Sequence, residues 1–147
     1  MKLKVFLPFF LIFYLISCST TSLFRDKITI DQVLIAKENI DKSKNPAEVL
    51  LLKNDLSEKI VILEDVHVKD IVPSTNVDYD FCILADLQSA KGPIECYIYT
   101  KNIRRISQLV NGVSTISVKG EFKRFFSMLD NYYTKIEITN SDVTIVK

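Results

Sequence analysis

The chain has 147 residues, with 19 Lys and Arg against 18 Asp and Glu and one His, so its formal net charge at pH 7 is +1. This length suits one ordinary domain with a hydrophobic core and is too short for two. The nearly neutral balance excludes a general electrostatic attraction to nucleic acid or to anionic membrane surfaces, so such binding would need a local basic patch.

The first eighteen residues have the form of a targeting segment. Lys2 and Lys4 make the start positive, residues 5–16 form an apolar and aromatic run, and the small Ser17 precedes Cys18. A helix of this length, at about 1.5 Å of rise per residue, is too short to cross a hydrocarbon core about 30 Å thick. We therefore predict a signal peptide over residues 1–17.

The sequence Leu15-Ile16-Ser17-Cys18 resembles the lipobox of bacterial lipoproteins. In that family the cysteine is cleaved free and acylated, which implies lipidation of Cys18 and a membrane anchor. Cleavage removes two of the 19 basic residues and leaves 17 against 18 acidic ones, a net charge of −1. Ser19 stands where an Asp retains Gram-negative lipoproteins in the inner membrane, which favours the outer membrane of the cell envelope. The alternative is an ordinary secretory signal.

Residues 18–27 are predicted to be a lipidated tether, because they begin with small polar residues. A single domain is predicted over residues 28–147, with a helical lead-in at 28–56. Thr29 and Gln32 have the spacing of a capping box before a helix at 30–42, and Asn45 followed by Pro46 starts a second helix at 46–54. The apolar residues of both helices are expected to pack in the core.

Residues 59–147 are predicted to form a β-barrel, because the apolar positions there alternate with period two. The first strand, 60–68, is expected to bulge at Glu64 and Asp65. The other predicted elements are a hairpin of 79–87 and 94–99, a short helix at 101–109, a strand at 114–122, and a last strand at 136–138 and 143–146, broken at 140–142. In the fourth strand Ile116, Val118, Gly120 and Phe122 share one face.

Three strands, a short helix and two further strands follow the order of an OB-fold, a small Greek-key barrel. The third strand, 94–99, and the fourth, Ile116 to Phe122, resemble those of bacterial OB-fold domains called tRNA-anti-like, over residues 28–147. We therefore predict a mainly β domain with short helices: a five-stranded OB-like Greek-key barrel preceded by two short α-helices. A β-sandwich fragment or a helix-packed curved sheet is the alternative.

The sequence has no recognisable catalytic or metal-binding motif. His67 is the only histidine and lies in the first strand, so a nucleophilic triad would depend on it alone. Gly92, Gly112 and Gly120 begin no phosphate-binding loop, and the cysteines lack the spacing of metal ligands. We predict a protein that is not an enzyme and that has no cofactor and no metal.

Cys82 and Cys96 lie on the two strands of the predicted hairpin. Folding the hairpin about Ser89 sets them opposite each other and sets Phe81 opposite Tyr97. Opposed residues have Cα atoms about 4.5 Å apart in a non-hydrogen-bonded pair, which is close to disulfide geometry. Two alternatives stay open: a disulfide formed outside the reducing cytosol, or two buried free thiols that pack as small hydrophobes.

A candidate binding surface lies on the other face of this hairpin and in the predicted loop after the fourth strand. OB-folds bind oligonucleotides or oligosaccharides in this region, and both kinds of ligand stack on aromatic rings. The alternative is that these aromatic residues cover the barrel or pack beneath the helices. The candidate residues are Tyr79, Phe81, Tyr97 and Tyr99 on the hairpin, and Lys123, Arg124, Phe125, Phe126, Tyr132 and Tyr133 in the loop.

Two functions remain open. The first is a noncatalytic, membrane-anchored envelope lipoprotein that acts as a protein-interaction or adaptor module for an envelope protein. The second is an OB-fold ligand-binding module for oligosaccharide or single-stranded nucleic acid outside the cytoplasm. The near-neutral charge favours the first and argues against nucleic acid, because binding to phosphates needs clustered Lys and Arg.

Overall fold

The computed structural model describes residues 25–89, 92–128 and 133–146. The predicted signal peptide, the lipidation site Cys18 and the candidate residue Tyr132 lie outside these ranges. Of Tyr133, only the backbone belongs to the described part of the chain.

Two helices precede the barrel, as the sequence predicts. A short strand, β1 (Lys27–Thr29), leads into α1 (Ile30–Lys42), and α2 (Pro46–Ser57) follows. The capping box is confirmed, because the Thr29 hydroxyl accepts from the Gln32 N–H and the Gln32 amide oxygen accepts from the Thr29 N–H. The Asn45 side chain caps α2, which runs three residues beyond its predicted end. No helix in the described ranges is both long and apolar enough to cross a membrane.

Five strands close into a barrel: β2 (Ile60–Pro73), β3 (Phe81–Ser89), β4 (Gly92–Tyr99), β5 (Thr115–Met128) and β6 (Tyr133–Val146). The sheet order is β1-β2-β3-β4-β6-β5, and pairing of β5 with β2 closes it. Within the barrel, only β4 and β6 are parallel. This is the OB strand order, so the predicted OB-like barrel preceded by two short helices is confirmed. The parallel strand β1 was not predicted, because three residues are too few to show a period.

Among the described residues, the pairing of the barrel strands shifts register at four places, and two of these shifts include a residue with a positive φ. The pairing of β2 with β5 shifts between Leu63 and Val66, and Asp65 has a φ of 52°, which confirms the predicted bulge. The predicted break at 140–142 is instead an irregularity within a continuous β6, where Asn140 has a φ of 48°. Asn and Asp tolerate this left-handed conformation better than other residues with a Cβ.

The core fills the barrel between these strands. Ile116, Val118 and Phe122 are buried on one face of β5, as the sequence predicts, and Gly120 is buried beside them. Val33, Leu34 and Leu56 from α1 and α2 join the same apolar cluster. Ile106 of α3 (Ile103–Ile106) and Leu109 also join it. This α3 is shorter than the predicted helix at 101–109.

The predicted register of the β3–β4 hairpin is wrong. Cys82 pairs with Tyr99 and Cys96 pairs with Ala85, so the two cysteines are not opposed. Ser89 pairs with Gly92, which has a φ of 113°, so the centre of the hairpin lies beyond Ser89 and not on it.

The observed register also excludes the possible disulfide between Cys82 and Cys96. Tyr99 and Cys96 are three residues apart on β4 and therefore face opposite sides, which puts the two cysteines on opposite faces of the hairpin. Both thiols are free and buried. Burial raises the pKa of each thiol to about 12, so both are protonated at neutral pH.

Residues 123–126 belong to β5 and not to a loop, which corrects the second half of the predicted binding surface. β5 and β6 stay paired as far as Met128 and Tyr133, so the hairpin continues well beyond Phe122. The predicted position of Phe81 opposite Tyr97 is also wrong, because Phe81 pairs with Pro73 of β2.

Candidate binding surface

The outer face of the barrel crosses strands β2, β3, β4, β6 and β5. Because Ile94, Cys96 and Ile98 point into the core, the alternate residues of β4 point outward. The register then places charged and aromatic side chains of the neighbouring strands beside them. We call this set the outer face: Lys69, Asp86, Glu95, Tyr97, Arg124, Phe126, Lys135 and Glu137.

Glu95 is the centre of this face and is buried. Its carboxylate lies 3.3 Å from Lys69 Nζ and 3.0 Å from Lys135 Nζ. Lys69 Nζ also lies 2.9 Å from a carboxylate oxygen of Asp86. These ion pairs therefore join β2, β3, β4 and β6.

Tyr97 completes the network around Glu95. The Tyr97 hydroxyl donates to Glu95 over 2.8 Å and accepts from Lys135 Nζ over 2.6 Å. Lys135 Nζ also lies 4.9 Å from the centre of the Tyr97 ring. The same ammonium group thus contacts the carboxylate and the phenol.

These contacts set the protonation of the network. Burial tends to raise the pKa of Glu95, but hydrogen bonds from Tyr97, Lys135 and Lys69 outweigh it and hold that pKa below its usual value. The pKa of Lys135 is raised, chiefly by its hydrogen bond to Tyr97, and burial raises the pKa of Tyr97. All three groups keep their usual neutral-pH forms: a carboxylate, an ammonium and a phenol.

Glu137 and Arg124 form a second ion pair on this face. Two nitrogen atoms of the Arg124 guanidinium donate to the two carboxylate oxygens of Glu137, over 2.7 and 2.8 Å. The Arg124 guanidinium lies 5.9 Å and Lys135 Nζ 6.0 Å from the centre of the Phe126 ring. Each of the three carboxylates of the outer face is therefore matched by a cation.

Glu95→Gln is expected to make the free energy of unfolding less sensitive to acid. A carboxylate whose folded pKa lies below its unfolded value of about 4.3 contributes stability above that value, and loses it as the pH falls through the folded pKa. The wild-type free energy of unfolding should fall steeply below about pH 4.3, and that of the variant less steeply. Urea titrations across this range measure the difference.

The matched control is Glu64→Gln, at an exposed glutamate of the β2 bulge. It should keep the wild-type acid dependence. Equal slopes for wild type and Glu95→Gln would show that the network around Glu95 contributes no stability through its charge.

The structure divides the aromatic residues predicted for the site. Tyr97 and Phe126 lie together on the outer face around Lys135. Tyr79 packs against the buried Tyr99, with 5.3 Å between ring centres and 42° between the ring planes. Phe125 points to the core side, where Lys37 Nζ lies 5.7 Å from its ring centre.

A polar cavity of about 390 Å³ lies at the Tyr79 end of the barrel. The Tyr79 hydroxyl donates to the Asn140 side chain over 2.8 Å and accepts from the Asn140 backbone N–H over 3.0 Å. Asn140 Nδ2 donates to Glu121 over 3.0 Å, and Arg25 lies 2.7 Å from the same carboxylate group. The predicted residue Lys123 also lines this cavity.

The sequence did not predict the three residues that form the polar network beside Tyr79. Arg25 was assigned to the tether, and Glu121 was assigned only to the polar face of a strand. Asn140 was noted only as a strand break, although an Asn within a strand is a known sign of a positive φ.

His67 is exposed on β2, and its Nδ1 lies 3.1 Å from the Thr115 hydroxyl. Within the described ranges no group of three or more His, Cys, Asp or Glu side chains is placed to hold a metal ion. In this part of the chain His67 therefore belongs to no cluster of metal-ligand residues.

Comparison with known proteins adds little at the level of sequence. Neither a protein-family model nor a curated protein matches this chain. Among solved structures, the chain is similar to DNA-binding domain A of Replication Protein A from S. cerevisiae, with a TM-score of 0.36 and 6% identity. The match covers 60% of this chain and 82% of that one. The OB-like character of the barrel follows from its own strand order and closure.

Proposed function

We propose that this chain is a lipid-anchored protein of the bacterial cell envelope whose barrel binds another protein and catalyses no reaction. The anchor is supported by the pattern of residues 1–18, which resembles a lipoprotein signal with Cys18 as the acylated residue. Ser19 supports the outer membrane over the inner one. The resemblance to tRNA-anti-like OB domains is consistent with this assignment.

The observation that carries the binding proposal is that the cations of the outer face are paired with carboxylates of the same face. Lys69, Lys135 and Arg124 are all engaged by carboxylates of the same surface. A nucleic acid would have to take these cations from the buried Glu95 and Glu137, which would leave buried charges unpaired. This cost argues against nucleic acid as the ligand.

A protein partner needs no such exchange. Tyr97, Arg124 and Phe126 are of the residue types that are enriched at protein interfaces, and they lie side by side here. Phe126 adds an exposed apolar ring beside the charged groups of Arg124 and Lys135. The arrangement suits a specific contact with another envelope protein.

The test is cross-linking in intact envelopes with Phe126→Ala. Because an aromatic anchor of an interface contributes strongly to affinity, the yield of the cross-linked complex should fall about tenfold or more. Phe81→Ala is the matched control, since Phe81 and Phe126 are both 37% exposed but lie on different surfaces. Equal effects of the two variants, or no discrete complex for the wild type, would contradict the proposal.

The polar cavity favours a second candidate, the binding of oligosaccharide. It combines the Tyr79 ring with the charged and amide side chains of Arg25, Glu121 and Asn140. Sugars stack on aromatic rings and hydrogen-bond to such groups. Titration of the Cys18→Ala protein with cell-wall oligosaccharides tests it: Tyr79→Ser should abolish binding and Phe126→Ala should preserve it, whereas no binding by the wild type would exclude it.

A further inference from the structure

Helix α2 is apolar on two opposite sides. Val49, Leu52 and Leu56 lie on the side that packs inward. On the other side Leu50 and Leu51 are 60% and 70% exposed. One apolar stripe is enough to pack a surface helix against its domain, so adjacent exposed leucines on the opposite side mark a contact surface.

The exposed side has no charged residue along one strip of the helix. Ala47, Leu50, Leu51 and Asn54 follow the spacing i, i+3, i+4 and i+7, which places them in one line on the surface. We call these four residues the outward ridge. All four are neutral, so their contact with an apolar phase requires no buried charge.

The outward ridge lies beside the point where the chain enters the domain. Lys59 Nζ lies 3.0 Å from a carboxylate oxygen of Asp26 and 3.1 Å from one of Asp55. Asp55 follows Leu51 by four residues, so it is one helical turn away on the same side of α2. Leu51 therefore lies one helical turn from Asp55, and Lys59 joins Asp55 to Asp26.

The chain between the anchor and the domain is short. Seven Cα-to-Cα steps lead from Cys18 to Arg25, and they can span at most about 25 Å. If Cys18 is acylated, the end of the domain that carries the outward ridge is held within this distance of the bilayer. A covalent link of this length gives a high effective concentration, so even a weak contact with lipid is occupied.

We infer that α2 lies on the membrane surface, with Leu50 and Leu51 inserted among the lipid headgroups and the first part of the acyl chains. This inference rests on the proposed lipid anchor at Cys18. The neighbouring Lys53 is exposed and can extend its ammonium toward lipid phosphates. The helix thus acts as an interfacial contact that orients an already anchored barrel.

A second copy of the chain fits the outward ridge less well than lipid does. Two leucines and their small neighbours offer far less area than the roughly 1,200 Å² of a stable protein interface. A tethered lipid contact needs no such area, because the anchor supplies the affinity. The bilayer is therefore the occupant that matches both the size and the position of the ridge.

The test uses the full-length acylated protein in vesicles of phosphatidylethanolamine and phosphatidylglycerol, with a nitroxide spin label at Leu51→Cys. Cys82 and Cys96 are buried, so the label reacts with the introduced thiol. Power-saturation spectroscopy compares the accessibility of the label to oxygen, which enters the bilayer, and to a nickel chelate, which stays in water. The matched control is Ile103→Cys on α3, whose native side chain is 50% exposed.

The label at position 51 should be several-fold more accessible to oxygen than to the nickel chelate, and the label at position 103 should not. In a second variant, Asn54→Cys carries the label together with Leu50→Gln and Leu51→Gln. That protein should still float with the vesicles but should lose the oxygen preference that Asn54→Cys shows alone.

Other results would overturn the inference. If the protein floats with the vesicles but the label at position 51 is more accessible to the nickel chelate than to oxygen, the anchor is present and the membrane contact is absent. Spin–spin broadening would identify a second copy as the occupant. A label shielded from both reagents in the Cys18→Ala protein without vesicles would mean that the chain covers its own ridge. Failure to float would overturn both the anchor and this contact.

Discussion

Gly120→Val is expected to destabilise the barrel by about 3 kcal/mol or more, because no space exists there for a side chain. A Cβ at position 120 would lie 2.5 Å from Ser141 Oγ, 2.6 Å from Ile138 Cγ2 and 3.0 Å from the Thr139 carbonyl oxygen. Ile138 is in the core and the carbonyl belongs to the backbone, so neither yields easily. Urea unfolding of the non-acylated Cys18→Ala protein measures the loss.

Gly112→Asn is the control for this experiment. A Cβ at Gly112 would meet no atom within 4 Å, and the φ of 70° is one that Asn tolerates. Its free energy of unfolding should stay within about 1 kcal/mol of the parent protein. If Gly120→Val is as stable as Gly112→Asn, the close approach of β5 and β6 is wrong.

Cys18→Ala is expected to move the protein from the membrane fraction to the soluble fraction almost completely. Each buried methylene of an acyl chain contributes about 0.8 kcal/mol, so loss of the acyl chains removes the dominant attachment. The outward ridge alone is too small to retain the protein. Fractionation of cells after a high-salt wash, followed by immunoblotting, measures the distribution.

The control is Ser22→Ala, a change of similar size within the predicted tether. It leaves Cys18 in place and should stay with the membrane. Retention of the Cys18→Ala protein in the washed membrane fraction would refute the lipid anchor, and mass spectrometry of the wild type should show the added mass of the acyl chains.

Features that depend on neighbouring residues were predictable from the sequence. The starts of α1 and α2 are set by side chains that cap the backbone a few residues away, at Thr29 and Asn45. The bulge of β2 and the buried face of β5 follow from local alternation and its interruption. Together with the order of the elements, these features were enough to predict the OB-like barrel.

Features that depend on distant pairing were not predictable in the same way. The β3–β4 hairpin pairs Ser89 with Gly92, and this shift by an odd number of residues from the predicted register puts Cys82 and Cys96 on opposite faces. The extension of β5 through Lys123 and Phe126 requires β6 as its partner. The ion pairs of Glu95 join three strands, β2, β4 and β6, so no local pattern contains them.

The closure of the barrel has a consequence for the timing of folding. β6 pairs with β4 as well as β5, and it follows both of them in the chain. The barrel therefore cannot close during synthesis until residues 133–146 have left the ribosome. Folds dominated by such non-local contacts also form slowly. Under the proposed export route, late closure would keep the chain unfolded while it is threaded through a translocation channel.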